Sequence, residues 1–484
     1  MPTRDSNLWQ FSRRELLQRS GLGLGALGLM HLLQDDGRLA AADEAPQSQL
    51  PLAQRPAHFP GRAKRVVHFF LNGGPSHVDT FDPKPALARY AGQSLPETLT
   101  TERKTGAAFP SPFKFRRYGQ SGLEISEIFS RTAEHADDIA VIRSMYAQVP
   151  NHEPSLMLMN CGDSAQPRPS VGSWVLYGMG TENQNLPGFI AMCPGGLPIK
   201  DAENWQAAFL PGAYQGTYVD SQHQSLGKLI ENIEHPQIER PAQRRQLDLL
   251  AKWNAEHRAA HQDPRLDARI HAYELAFMMQ RDAREAFDIS RETAETLQLY
   301  GIDQEVTRDY GTRCLIARRL VERGVRFVQI FNNGQSWDHH SSITTELPKR
   351  AQEIDRPAAA LVRDLKRRGL LDSTLVHWGG EMGRLPTVQI PVGTDGTERV
   401  GRDHNTYGFS MWVAGGGLKR GCVYGKTDEF SHHAVEDVVT NHDWLATVLH
   451  LFGLSHQELK FRVGNRSLAL VENPGASVVH GLLA

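Results

Sequence analysis

Acidic and imidazole side chains gather at several places along this chain, each just beyond an apolar run. Asn72, Ser76, His77, Asp79 and Asp82 follow the run from Arg65 to Leu71. His152 and Ser155 follow Ile139 to Met145, and Asp338, His339 and His340 follow Val325 to Phe331. Glu381 and Arg384 follow Leu375 to Trp378; Arg402, Asp403 and His404 come next in a polar, Gly-flanked loop, and His442 and Asp443 open a late helical pattern. Carboxylates and imidazoles with no thiolate among them are donors for a divalent ion. Imidazole tilts the choice toward zinc or manganese, and oxygen donors admit calcium or magnesium. One or two such ions would polarise a phosphoryl or sulfuryl oxygen and generate a nucleophile near neutral pH. Arg384 and Arg402 suit the oxygens of such an anion, because a guanidinium matches their geometry; they serve equally well as partners in structural ion pairs. Asn72, Ser76 and His77 would contact substrate from the first loop.

Elements of a particular kind must hold these groups. The runs at 65–71, 139–145, 189–193, 325–331, 375–378 and 409–414 are short and almost wholly apolar, as in strands buried on both faces. Helical spacing follows at 125–136, 156–159, 173–177, 315–323, 354–368 and 440–453. Alternation of the two predicts an α/β fold, a mostly parallel sheet with helices on both faces. In such sheets ligands bind at the carboxyl ends of the strands, where the polar residues fall. Gly73 and Gly74 let the backbone turn tightly beside a ligand. His152 and Ser155 would sit near a helix N-terminus, which favours anionic groups. Between about 225 and 300, charged residues, Gln and Ala dominate, with apolar residues at helical spacing; two or three amphipathic helices are expected there as an insertion.

The chain has 484 residues, 21 histidines and a formal charge of −2, so no basic field points to nucleic acid. Cys161, Cys193, Cys314 and Cys422 are too far apart for thiolate zinc or redox motifs, and two disulfides are possible in an oxidising compartment. Ser12 to Leu17 contains the pair Arg13 and Arg14, followed by an apolar run from Gly21 to Leu33 and by Ala40 to Ala42. These read as a twin-arginine signal peptide over 1–42, with a cleavage site and an apolar run too short to span a bilayer. Residues 43–62 read as a linker and 63–484 as the folded domain. The expected address is the periplasm or another exported location, with the twin-arginine machinery as partner and no stable membrane span.

Taken together, the ordered motifs at 73–84, 337–340, 381–384, 401–404, 442–447 and 461–465, with the twin-arginine start, resemble the family called domain of unknown function 1501. That resemblance runs over nearly the whole chain. It implies a sulfatase-like, alkaline-phosphatase-like α/β/α sandwich around a central sheet. It also implies metal ligands at strand ends: Asp338 and His340 resemble the Asp-x-His of the family pattern, Glu381 the acidic residue after the next strand, and His404, accompanied by Asp403, the histidine of the following loop. Asp79 belongs to the first-strand set. True sulfatases carry a Cys/Ser-x-Pro-x-Arg motif whose first residue becomes formylglycine. Here His152 stands in that place and Leu156 replaces the arginine, so no formylglycine is expected. His152 is left as a metal ligand, a general acid/base or a nucleophile, with Ser76 and Thr80 as weaker nucleophile candidates. The resulting expectation is an exported metal-dependent hydrolase of phosphate or sulfate esters, acting on a small molecule or glycan. The alternative is a non-catalytic exported protein that binds a glycan or a partner on the same fold.

Overall fold

The computed structural model describes residues 52–96, 101–223, 225–231, 233–234, 237–261, 264–389 and 400–484. The signal segment expected at 1–42 lies outside them. Nine strands form the main sheet: β1 (Arg65–Phe70), β2 (Ile139–Tyr146), β3 (Phe189–Cys193), β4 (Thr217–Asp220), β5 (Phe327–Phe331), β6 (Thr374–Gly379), β7 (Phe409–Ala414), β8 (Cys422–Tyr424) and β9 (Val439–Thr440). Their order is β8-β2-β7-β6-β1-β5-β3-β4, with β9 also paired to β2. β1 lies at the centre, parallel to both β5 and β6. β7 alone in this sheet runs against its neighbours. Its amino end therefore shares an edge with the carboxyl ends of the other strands.

The pleat splits each central strand between two layers. Val67, Phe69 and Leu71 join Val328, Ile330, Val376 and Trp378 under α5 (Glu305–Glu322) and α6 (Ile343–Arg367). Val66 and Phe70 join Phe327, Phe331, Leu375 and Met411 under α1 (His152–Cys161), α2 (Val171–Met179) and α7 (Asn441–Leu451). The molecule is thus an α/β/α sandwich. Each such large apolar side chain contributes about 1.5–3 kcal/mol when fully buried. On the second face two imidazoles break the apolar rule: His68 stacks on His377 at 4.1 Å, and both are buried.

The helical insertion contains α3 (Arg240–His261) and α4 (Pro264–Phe287). Several expectations change. Residues 125–136 do not form one helix: Leu123–Ser126 is a strand paired with Phe115–Tyr118, and only short turns of helix follow. Helices α5 and α6 begin earlier than periodicity suggests, and β4, β8 and β9 are strands that no apolar run announces. The stretch 52–62 lies against the domain: Phe59 and Arg62 donate backbone N–H groups to Gly453 and Leu451, and the Arg55 side chain reaches the Tyr177 carbonyl at 2.5 Å. All four cysteines are free.

Candidate metal centre

Asp338 is held by a loop stitched to its surroundings at every step. Trp337, buried against Phe129 and Trp378, donates its N–H to the Asn72 carbonyl. The next turns close through His340 N–H to the Asp338 carbonyl and Arg402 N–H to the His339 carbonyl. The close approach has a glycine on each side. A Cβ on Gly73, whose φ is +112°, would lie 2.4 Å from the Asp338 nitrogen; one on Gly401 would lie 2.1 Å from the His340 carbonyl carbon. Gly73 and Gly74 thus let the first loop approach protein backbone, that of Asp338 and Met382.

Three imidazoles converge on Asp338. His340 Nε2 lies 2.8 Å from Asp338 Oδ1, and His152 Nε2 and His404 Nε2 each lie 3.4 Å from it. One donor atom from each of the four residues falls within 4.8 Å of all the others. Behind each ring stands an acceptor. His152 Nδ1 lies 2.6 Å from Glu381 Oε1, His340 Nδ1 2.5 Å from Gln389 Oε1, and His404 Nδ1 2.9 Å from Glu102 Oε2. An oxygen with no hydrogen must accept, so each Nδ1 carries a proton, and an ion at the centre would meet the Nε2 lone pairs. All three Nε2 atoms are buried, face Asp338 Oδ1 and make no other polar contact among the described residues. Three lone pairs and a carboxylate oxygen facing one point are stabilised by a cation there. Oriented imidazoles backed by acceptors are the usual arrangement around a protein-bound metal. The donor set therefore fits a divalent ion.

The electrostatics favour positive charge at this point, which protons supply in the absence of an ion. Burial opposes charge on His152, but hydrogen bonds to Asp338 and Glu381 outweigh it and raise the ring to about 9. Burial opposes the Asp338 carboxylate too; its hydrogen bonds to the three histidines, with the Arg384 charge, hold it far below the usual carboxylate range. His404 is lowered, by burial first and by the Arg384, His152 and His340 charges.

The other expected site residues fall around this cluster rather than in it. Glu381 stands behind His152, with its Oε1 also accepting the Gly73 N–H at 2.8 Å. Asp403 accepts the Arg103 N–H at 2.8 Å through Oδ2 and forms a second acidic group with Glu102 and His404. Asp79 is fully buried in a two-pronged ion pair with Arg402, at 2.8 and 3.0 Å, and accepts the Ser76 hydroxyl at 2.6 Å. That leaves neither Asp79 nor Arg402 facing the histidines. Arg384 is fully buried and spends four of its five N–H donors on the carbonyls of Gly73, Gly74 and Arg402 and on Asp338, so it orients the Asp338 carboxylate and cannot offer the two-pronged grip that a large anion takes. His77 donates Nε2–H to the Ser431 carbonyl at 3.2 Å and accepts from the Arg384 N–H, and burial lowers it to about 4. Asn72 is buried with both amide atoms unpartnered among the described residues. Thr80 donates to the Ser76 carbonyl.

Glu102 and Gln389 carry no sequence signal of their own. They are brought in by an antiparallel ribbon in which Gly383 and Arg384 pair with Asn405 and His404. Onto that ribbon Thr105–Ala108 zips against Thr387–Gln389. Only this tertiary pairing places them.

Several solved structures resemble the chain at low identity. A sulfatase, PsFucS1 from Pseudoalteromonas sp., is 13% identical, with 81% of this chain and 68% of that chain covered and a TM-score of 0.33. An alkaline phosphatase from the Antarctic bacterium TAB5 is 9% identical, covering 81% and 98%, with a TM-score of 0.33. A protein of the alkaline phosphatase superfamily from Vibrio parahaemolyticus is 9% identical, covering 92% and 76%, with a TM-score of 0.34. No curated protein matches the sequence. The family model described as "Protein of unknown function (DUF1501)" matches residues 63–483, and the chain belongs to that family.

Proposed function

We propose that this protein is an exported metal-dependent hydrolase of phosphate or sulfate esters, with one divalent ion held by His152, Asp338, His340 and His404. The observation that carries the reading is the convergence of three buried Nε2 atoms on one carboxylate oxygen, each ring fixed from behind by an acceptor. Three nitrogen donors and one oxygen favour zinc or manganese over calcium or magnesium. When bound, such an ion supplies Lewis acidity toward an ester oxygen and lowers the pKa of water. The chain's own residues orient the donors: Glu381, Gln389 and Glu102 fix the three tautomers, and Arg384 fixes Asp338. The attacking group comes from solvent, because the Ser76 and Thr80 hydroxyls are buried and donate to Asp79 and to the Ser76 carbonyl. Export is proposed from the twin-arginine pattern at Arg13 and Arg14; no described helix is long and apolar enough to cross a membrane.

One observation favours a second reading, a non-catalytic protein with a structural ion. Four protein ligands would close a tetrahedral site, whereas a catalytic one keeps a position open. Metal analysis of the purified protein, with turnover of a panel of phosphate and sulfate esters, separates the two. The hydrolase reading expects about one ion per chain and turnover that disappears with chelator. Asp338→Asn and His340→Ala are each expected to lose both metal and turnover. Bound metal with no turnover on any ester leaves the structural reading; no metal at all sinks both.

A further inference from the structure

The hydrolase reading needs a group to receive the anionic half of an ester, and the two arginines that the motifs offer are committed elsewhere. Arg402 is neutralised by Asp79, and Arg384 is bound to three carbonyls and Asp338. The charge count then becomes unfavourable. Asp338, Glu381, Asp403 and Glu102 bring four carboxylates to the three histidines, against the single guanidinium of Arg384. A divalent ion on neutral imidazoles still leaves an excess negative charge. Such a site repels a phosphate or sulfate monoester unless further positive charge stands at its mouth.

Residues 101–108 carry two cations next to it in sequence. This strap is anchored at one end by the ladder of Thr105–Ala108 on Thr387–Gln389, and at the other by Glu102 on His404 and the Arg103 N–H on Asp403. Both ends of the strap thereby touch residues that belong to the cluster or back it. Arg103 and Lys104 follow Glu102 directly and precede the ladder. Both are exposed, and neither has a carboxylate partner among the described residues. Resting on the hydrolase reading, we propose that Arg103 and Lys104 are the substrate-recognising cations of this site, receiving the phosphate or sulfate group of the ester. With them the local charge changes sign, from repelling the anion to attracting it. A planar guanidinium beside a flexible ammonium suits tetrahedral oxyanions of both kinds.

The test is calorimetric titration of inorganic phosphate, and separately of sulfate, into the full chain loaded with zinc or manganese. Metal content is measured on the same samples. The double variant Arg103→Gln/Lys104→Gln is compared with Arg245→Gln/Lys252→Gln, which makes the same charge change on exposed positions of α3. The expected result is anion binding at least tenfold weaker in the strap variant, unchanged in the control, with metal content equal throughout. Added salt should weaken wild-type binding more than that of the strap variant. Equal affinity in the strap variant, or metal-loaded wild type that binds neither anion, overturns this proposal and leaves the metal reading standing. Two ions per chain with affinity independent of the strap would assign anion recognition to a second ion and also overturn it. A protein that holds no metal sinks both readings together.

Discussion

Glu381 shows how one side chain can look like a ligand and act one bond away. Its Oε1 receives both the Gly73 N–H and the His152 ring, which leaves it bracing the cluster. Glu381→Gln keeps an acceptor for His152 and removes the charge. The expected outcome is a protein that still binds metal, about 10- to 100-fold more weakly. Competition against a chelator of known affinity measures it, and an unchanged affinity would remove Glu381 from its bracing role. At this scale the sequence is informative about donor chemistry: His152, Asp338, His340 and His404 stand out by type and by their place after apolar runs. It is silent on which carboxylate touches what. Asp79, Glu381 and Asp403 have the same donor atoms as Asp338 and differ only in which N–H group or guanidinium meets them first. Glu102 and Gln389 sit in stretches with no pattern, so only the folded ribbon reveals them.

At the scale of elements, the site depends on backbones that nearly touch. Gly401 crosses the His340 peptide so closely that a methyl group has no room. Gly401→Ala should push His340 out of position, costing about 1–3 kcal/mol of stability. It should also lower metal content although no donor atom has changed; full metal occupancy in this variant would argue against the crossing. A separate test concerns α7, where Thr440 and Asp443 form a reciprocal capping box. Thr440→Ala should lower stability by about 1 kcal/mol in a denaturant titration. Elements with continuous apolar runs, such as β1, β5 and β7, were readable because a strand buried on both faces has no polar alternative. The short edge strands were not, because β8 and β9 owe their pairing to β2. The antiparallel sense of β7 was not readable either, since the apolar pattern of a strand is the same in both directions. Pro348 lies inside α6, where a proline usually marks a helix limit, so the part of the helix before residue 354 was hidden.

For the molecule as a whole, the layered sheet and the edge that carries the candidate site followed from alternation, while the polar contents of its core did not. The stacked pair His68 and His377 is buried as neutral imidazole. Burial lowers His377 to about 3, and burial with the His377 charge lowers His68 well below its ordinary value. An unfolded chain takes up these protons below about pH 6.5, and the folded protein does not. Their contribution to stability is therefore full above about 6.5 and is lost as pH falls toward 3, at about 1.4 kcal/mol per pH unit for each group. Urea midpoints at pH 7 and pH 5, both with chelator present, should show the lower pH clearly less stable; equal midpoints would mean that these rings charge without penalty.

The cluster draws on three widely separated stretches of the polypeptide, with His404 far downstream of His152. Sheet order makes neighbours of segments that leave the ribosome at very different times. A nascent chain that stops before His404 has at most two of the three imidazoles and lacks the ribbon partner of Gly383 and Arg384, so it lacks part of the proposed ligand set. On the proposed metal reading, a loaded molecule is therefore one whose synthesis has passed His404, and loading reports that the late segments have joined the early ones.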